Sequence, residues 1–374
     1  MIQVIKLPEH LRRTLERTIN RLKIREDIYA IGLFGSWSRG EATESSDLDL
    51  LVLSKENLKC EHVERFETAD VFIDLDYFPK EFFSGIIPPG LDQKLNEMQI
   101  LYDRDWSLTN IKLLMTKCYG SPERVAIRIE RRILDSDIYL SRATSAFSRD
   151  DYHSAHLFSI CGIEAALNVL VEITSMSFSN SRAVQRLIDS CTMLNERDLL
   201  DQFLSLSGTD KVDESSVKGK LRQFREILDE MKSAVTRNQS RLEKCHSTTR
   251  AQLAYYVNPS FIRGALARAN SIAGFGDYVE AQHYLKAMVL DVLESYVPFC
   301  GIVGNVRVDC ATMVRSLEVL MKKSPRESDR IIDFLDLTEI DKATAAEMIK
   351  KSRDVILTVR KQRKVLIKNH LIKG

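Results

Sequence analysis

The chain has 374 residues, of which 44% are hydrophobic and 29% are charged, and its formal net charge at pH 7 is +1. This is the composition of a globular protein with room for two or three domains. The near-zero net charge excludes a global electrostatic attraction to nucleic acid. A local basic patch, such as the segment from Arg360 onward, could still contact RNA or an acidic partner.

Seven cysteines are scattered through the chain and are never spaced as C-x-x-C. This pattern predicts reduced thiols and excludes a disulfide framework or a structural zinc site. Residues 1–18 lack the apolar run of a signal peptide, and no stretch approaches the ~20 apolar residues of a membrane span. We therefore expect a cytoplasmic protein without a membrane partner.

The N-terminal part of the chain alternates between helical and strand patterns. In chain order it predicts a helix at 8–25, strands at 28–35 and 48–54, a helix near 57–67, a strand at 71–78, a helix at 80–85 and a short strand at 98–102. From Pro122 onward the apolar spacing is almost wholly helical. A linker is therefore expected near residues 106–121.

The most informative stretch is residues 31–53, in which a polar turn joins two apolar strands. Asp47 and Asp49 open the second strand, and because side chains alternate along a strand, their carboxylates point to the same face. Such like charges repel unless a cation lies between them, and hard oxygen ligands of this kind suit Mg²⁺. At the end of the first strand, Gly35 lets backbone N–H groups approach a polyphosphate, and the Ser36 hydroxyl adds a hydrogen bond.

This pattern resembles the signature GSxxRGxxxxxSDxDL of the minimal nucleotidyltransferases in the DNA polymerase β superfamily. The matching residues are Gly35, Ser36, Arg39, Gly40, Ser46, Asp47, Asp49 and Leu50. The resemblance covers residues 1–105 and implies an α+β fold, in which a mixed sheet with flanking helices forms a nucleotidyltransferase domain. It also implies a third carboxylate on a later strand. Asp74 has the family's spacing to Pro79 and is assigned, with Asp76 held as the alternative.

The resemblance further implies Mg²⁺-dependent transfer of a nucleoside monophosphate from an NTP, with AMP from ATP as the expected case, and release of pyrophosphate. Asp47 and Asp49 would bridge two Mg²⁺ ions. Asp74 would complete the ion that binds and deprotonates the acceptor hydroxyl. These three aspartates are the predicted catalytic and metal-binding residues.

Gly35 and Ser36 are predicted to hold the phosphates, and Arg39 either pairs with the phosphates or forms a salt bridge within the turn. Nothing in this region identifies the acceptor, so a protein hydroxyl, an RNA 3′ end and a small molecule stay open. Homo-oligomerisation is equally open.

The helical region contains an internal repeat. The segment LSRATS from Leu140, followed by Asp-Tyr at 151–152, recurs 126 residues later as LARANS from Leu266, followed by Asp-Tyr at 277–278. A unit of that length fits a four-helix bundle better than a solenoid repeat of ~34 residues. We therefore predict a duplicated all-α region, with bundles at 122–246 and 247–374, and interpret the repeated Arg, Tyr and Ala positions as packing and turn residues.

Bundles of this size beside a minimal nucleotidyltransferase resemble HEPN domains. HEPN ribonucleases carry an arginine and a histidine on one helix, and Arg241 with His246 and Arg363 with His370 have acceptable spacing. Neither arginine is followed by the polar residue usual in that family, so we predict no ribonuclease. Two other functions stay open: a regulatory protein that senses nucleotides without turnover, and a toxin–antitoxin fusion.

Overall fold

The computed structural model describes residues 7–55, 62–83, 85–209, 212–321 and 325–372. The strands are β1 (Ile28–Phe34), β2 (Leu48–Ser54), β3 (His62–Thr68), β4 (Val71–Pro79) and β5 (Gln99–Asp103). The helices among and just after them are α1 (Glu9–Leu22), α2 (Gly35–Arg39), α3 (Asp92–Glu97) and α4 (Ser107–Cys118).

The rest of the described chain is helical, as the apolar spacing predicts. Its helices are α5 (Pro122–Phe147), α6 (Tyr152–Ile173), α7 (Ala183–Leu194), α8 (Arg197–Leu206), α9 (Glu214–Arg237), α10 (Gln239–Leu242), α11 (Ser247–Tyr256), α12 (Pro259–Gly274), α13 (Tyr278–Gly304), α14 (Met313–Leu320), α15 (Pro325–Phe334) and α16 (Lys342–Ile367). The predicted α+β fold class, a strand-containing N-terminal part followed by a helical part, is confirmed.

The strands form one five-stranded mixed sheet in the order β3-β4-β2-β1-β5. β2 and β4 run parallel, and the other neighbouring pairs run antiparallel. The central strands carry continuous apolar runs because helices cover both faces of the sheet. α1 packs on one face through Leu11 and Leu15, and α3 and α4 pack on the other through Leu95 and Leu108.

The prediction of a helix near 57–67 is wrong for the residues that the structure describes, since 62–68 form the edge strand β3 and 56–61 lie outside the described part. β3 pairs with β4 through a two-residue turn at Ala69 and Asp70, whose φ angles are +50° and +61°. Two consecutive positive φ angles match the twist of a tight hairpin. The usual Asn-Gly or Asp-Gly signal is missing from this turn, which explains the error.

The expected linker at 106–121 is also wrong, because α4 occupies Ser107–Cys118. Its buried Leu108 and Met115 pack beneath the sheet in the same cluster as Tyr119. The helix predicted at 80–85 is a single helical turn, Lys80–Phe83.

Packing divides the chain into two compact units. The first unit contains the described residues up to Arg124 together with Asn258–Ser271, and the second contains Val125–Val257 and the chain from Ile272 onward. The boundaries predicted at 105, 122–246 and 247–374 do not coincide with this division. The first unit includes a segment of α12 that lies far from it in sequence.

The core of the second unit joins helices from both predicted bundles. α6 is buried around most of its circumference, and its Ile163 and Leu167 share a cluster with Val355 and Ile356 of α16. A helix that is apolar all round must be covered on all sides. The duplication itself stays a prediction. Asp151 and Asp277, 126 residues apart, do occupy the same N-cap position before α6 and α13.

α6 and α13 are long and apolar enough to span a membrane by length and composition, contrary to the expectation from sequence. In the folded chain 78% of the most apolar window of α6 and 50% of that of α13 are buried. Core helices often meet these criteria, so the two helices are weak evidence for a membrane span.

The cysteines in the described residues are all free, as their spacing predicts. They are Cys118, Cys161, Cys191, Cys245, Cys300 and Cys310, while Cys60 lies outside the described part.

A buried ion pair in the second unit gives a test of its packing. Glu172 of α6 accepts a hydrogen bond from Arg128 of α5 at 2.8 Å, and their side chains are 5% and 4% exposed. Replacing Glu172 with Leu leaves a buried guanidinium without this counterion, so we expect a loss of about 3–5 kcal/mol in the free energy of unfolding, measured in urea.

The control is Glu347→Ala, which removes an exposed pair with Lys351 on α16 and should change stability little. A Glu172→Leu variant as stable as this control would contradict the role given to the buried pair.

Candidate active site

Two neighbouring strands bring the predicted aspartates together. β2 and β4 are parallel, and their register places Asp49 directly beside Asp74. Asp47 lies one residue before β2. Carboxylate oxygens of Asp47, Asp49 and Asp74, the acidic triad, all lie within 4.8 Å of one another. The structure thus assembles the three residues that the sequence singled out, from positions up to 27 residues apart along the chain.

The same register separates Asp74 from the alternative, Asp76. Asp76 lies beside Leu51 rather than beside Asp49, and its carboxylate accepts a hydrogen bond from Lys94 at 2.5 Å. The three-carboxylate cluster contains Asp74, so Asp74 remains the assigned third residue.

Gly35 provides the close approach between backbone and carboxylate that the site needs. Its φ is +77°, and a Cβ at this position would lie 2.1 Å from Oδ2 of Asp49. Its N–H donates a hydrogen bond of 2.8 Å to Oε1 of Glu97. Only glycine fits here, both for the backbone angle and for the space.

Arg39 forms the salt bridge within the turn, one of its two predicted alternatives. Its guanidinium donates to Glu41 at 2.9 Å and to Glu97 at 2.8 Å. Although burial lowers its pKa, the two carboxylates hold the pKa of Arg39 above its usual value. Ser36 lies partly buried in the first turn of α2, and no described residue hydrogen-bonds its hydroxyl.

Two arginines that the sequence analysis missed contact the acidic triad. Arg65 of β3 is the cross-strand partner of Asp74, and its Nη1 donates to Asp74 at 2.6 Å and to Asp47 at 3.0 Å. Arg268 of α12 pairs with the other oxygen of Asp47. The sequence analysis missed Arg65 because it assigned residues 57–67 to a helix. It missed Arg268 because it interpreted the repeated arginine as a packing residue.

These contacts distribute charge unevenly over the triad. Burial raises the pKa of Asp47, but Arg268 and Arg65 outweigh it and hold that pKa below its usual value. Burial, with Asp47 and Asp74 nearby, raises the pKa of Asp49 well above its usual value. No described side chain donates a hydrogen bond to Asp49. The positive charge of the two arginines is therefore concentrated on Asp47 and Asp74, and Asp49 has no directly bonded cation among the described residues.

The residues present fit a divalent metal ion. Three carboxylates supply the hard oxygen ligands that Mg²⁺ takes in proteins, and guanidinium cations already lie among them. A further cation beside Asp49 would relieve the repulsion that raises its pKa. Asp47, Asp49 and Asp74 are the residues that would hold it.

A cavity of about 460 Å³ lies in the second unit, away from the triad in sequence. Its wall carries four carboxylates and two arginines: Asp135, Glu164, Asp291, Glu294, Arg132 and Arg142. Burial and the neighbouring Glu294 raise the pKa of Asp291 to about 7. Among the described residues, the carboxylates that converge closely enough to share a metal ion are those of the triad, so the triad is the better candidate for a metal-dependent nucleotide site.

In neither arginine–histidine pair do the two residues lie in the same α-helix. Arg241 lies in α10, whereas His246 is the N-cap of α11. Arg363 lies in α16 and pairs with Glu130 at 2.9 Å, whereas His370 lies in the wider helical turn Lys368–Ile372 that follows.

Comparison with known proteins places the triad within a described family domain. Residues 15–85 match the family model described as "Nucleotidyltransferase domain". The chain contains a nucleotidyltransferase domain near its N-terminus. This domain covers Gly35, the turn after it and all three aspartates of the triad.

A curated relative extends the likeness beyond that model. The chain is 34% identical over 95 residues to the "Putative protein adenylyltransferase MJ1305" of Methanocaldococcus jannaschii. The match covers 22% of this chain and 64% of the relative, so the chain spans just under two thirds of the relative's length.

A solved structure, a nucleotidyltransferase-like protein from Exiguobacterium sibiricum 255-15, is 11% identical. The structural alignment covers 87% of this chain and 91% of that protein's chain. Its TM-score of 0.33 does not establish a common fold.

Gly35 and Gly40 form a matched pair for testing the site, because both have positive φ but only Gly35 lacks room for a Cβ. We expect Gly40→Ala to cost about 1–2 kcal/mol of stability from the left-handed backbone alone. Gly35→Ala should cost more and displace Asp49, because the new methyl group meets its carboxylate. Urea unfolding measures the first effect, and Mn²⁺ affinity measures the second.

Equal stability and equal Mn²⁺ affinity in the two variants would contradict the close packing of Gly35 against Asp49.

Proposed function

We propose that the protein transfers AMP from ATP to a hydroxyl group of a protein, in a Mg²⁺-dependent reaction that releases pyrophosphate. The observation that carries this proposal is the acidic triad, whose three carboxylates converge beside a glycine turn. The nucleotidyltransferase domain at residues 15–85 supports nucleotide transfer in general. The choice of ATP, Mg²⁺ and acceptor is part of the proposal.

Asp47 and Asp49 would hold the metal ions. When bound, such ions neutralise charge on the triphosphate and lower the pKa of the attacking hydroxyl. The chain contributes rigidity: Asp49 is fixed by β2, and Arg65 holds one oxygen of Asp47 at 3.0 Å. Fixed charges of this kind need no rearrangement as the reaction proceeds.

Asp74 would orient the acceptor hydroxyl and accept its proton. Its strand position beside Asp49 puts it in the acidic triad, and Arg65 donates a hydrogen bond of 2.6 Å to its Oδ2. A positioned carboxylate that accepts a proton in the transition state is worth ~10²–10⁴ in rate.

The turn after β1 would receive the phosphates. Gly35 lets the backbone lie close to Asp49, and the Ser36 hydroxyl forms no hydrogen bond with a described residue. Arg39 acts on this turn indirectly. It pairs with Glu97, and Glu97 accepts the N–H of Gly35, so Arg39 positions the turn rather than contacting the nucleotide.

The acceptor is proposed to be a protein because the Methanocaldococcus relative is described as a protein adenylyltransferase. An RNA 3′ end or a small molecule would be found by the same experiment. We propose a cytoplasmic location, which agrees with the free cysteines of the described residues.

A second candidate function is a nucleotide sensor without turnover. The observation that favours it is the occupancy of the triad by Arg65 and Arg268, which hold both oxygens of Asp47. In a sensor these contacts would persist with nucleotide bound.

Incubation with α-labelled ATP and Mg²⁺ tests transfer directly. Label should appear on protein, whether the chain itself or an added acceptor. Asp74→Asn should lower the rate by ~10²–10⁴ while ATP binding persists. Asp76→Asn is the control, because it loses the pair with Lys94 but leaves the triad intact.

Loss of transfer in Asp76→Asn with retention in Asp74→Asn would contradict the assignment of the third carboxylate. Label on RNA or on a small molecule would replace the protein acceptor, and binding without transfer would favour the sensor.

A further inference from the structure

Asn258 and the N-terminal half of α12 pack in the same unit as the sheet, although they lie much later in the chain. Asn258 donates a hydrogen bond of 3.0 Å to the backbone carbonyl of Arg65, 193 residues earlier in the chain. One turn further along, Arg263 pairs with Glu67 of β3. The segment therefore lies along the edge strand that borders the triad.

Contacts from this segment immobilise Arg65. The Phe261 ring centre lies 5.9 Å from the guanidinium carbon of Arg65, and the Phe72 ring centre lies 5.4 Å from it. A Cβ on Gly264 would lie 2.4 Å from Arg65 Nη2. With a side chain only 4% exposed, Arg65 is a fixed cation.

Arg268 differs from Arg65 in its surroundings. Its side chain is 22% exposed, and it pairs with Oδ1 of Asp47, the oxygen that Arg65 does not take. Asp47 thus has a cation on each oxygen, one fixed and one partly in solvent.

A metal ion held by Asp47 competes with this arrangement. An oxygen that accepts a hydrogen bond from a guanidinium is poorly placed to bind a second cation, since the two positive charges repel. An arginine stays charged at any ordinary pH, so it cannot make room by losing a proton. It must move.

We propose that Arg268 is a displaceable cation of this site: it neutralises Asp47 and moves to the triphosphate when metal and nucleotide bind. This rests on the proposed function. The planar guanidinium that fits a carboxylate fits phosphate oxygens equally well, so Arg268 exchanges one anion for another without leaving the site. Arg65 stays in place.

The proposal predicts opposite effects on two ligands. Without nucleotide, Arg268→Ala should bind Mn²⁺ more tightly, on the order of tenfold, because the competing cation is gone. With Mg²⁺ present, the same variant should bind ATP more weakly, also on the order of tenfold, because a phosphate contact is lost. Mn²⁺ binding is measured by electron paramagnetic resonance and ATP binding by calorimetry.

Two variants serve as controls. Arg263→Ala removes a cation from the same helix but pairs with Glu67 instead of the triad, so both affinities should stay near those of the wild type. Arg268→Lys keeps the charge and should restore part of the ATP affinity. Urea unfolding of each variant checks that the unit remains folded.

The outcomes separate this inference from the proposed function. Unchanged or weaker Mn²⁺ binding in Arg268→Ala, or unchanged ATP binding, would overturn the displacement of Arg268 while leaving the metal site intact. Asp47→Asn tests that metal site by itself. If Asp47→Asn bound Mn²⁺ as tightly as the wild type, the proposed function would fail as well.

Discussion

The structure of the first unit depends on one electrostatic constraint: three carboxylates within 4.8 Å of one another must be neutralised. Taking like charges out of water together is unfavourable, so burial and the neighbouring Asp47 and Asp74 raise the pKa of Asp49. Arg65 and Arg268 supply compensating charge to Asp47 and Asp74. The pKa of Asp49 is still raised by burial and by Asp47 and Asp74, so a further cation beside Asp49 would be stabilising.

The geometry around the triad follows from meeting that demand on rigid elements. Across the sheet, Arg65, Asp74 and Asp49 occupy one row on three neighbouring strands. The edge strand β3 is held by α12, whose Gly264 leaves room for the guanidinium of Arg65. The nucleotidyltransferase unit therefore needs residues that follow some two hundred positions after its sheet.

Local spacing made much of the site predictable. Alternation along β2 put Asp47 and Asp49 on one face, and the turn chemistry singled out Gly35. The choice of Asp74 over Asp76 rested on family spacing, and the parallel register of β2 and β4 places Asp74 in the cluster. The positive φ turn at Ala69 lacked a glycine signal, so β3 was missed, and Arg65 with it.

Long-range contacts were out of reach of the same reasoning. Arg268 lies 221 residues from Asp47, and nothing in a helical repeat indicates which of its arginines contacts a distant strand. The helices of the second unit were predicted by their periodicity, but their grouping was not. α6 is apolar on nearly all sides, so its sequence does not show that α16 is its neighbour.

The most direct test of this account is a crystal structure with Mn²⁺ and a non-hydrolysable ATP analogue, with the metal located by its anomalous scattering. The account predicts Mn²⁺ bound by Asp47, Asp49 and Asp74, with Arg65 in place and Arg268 moved from Asp47 to the triphosphate. Nucleotide bound with both arginines still on Asp47, and no metal at the three aspartates, would contradict it.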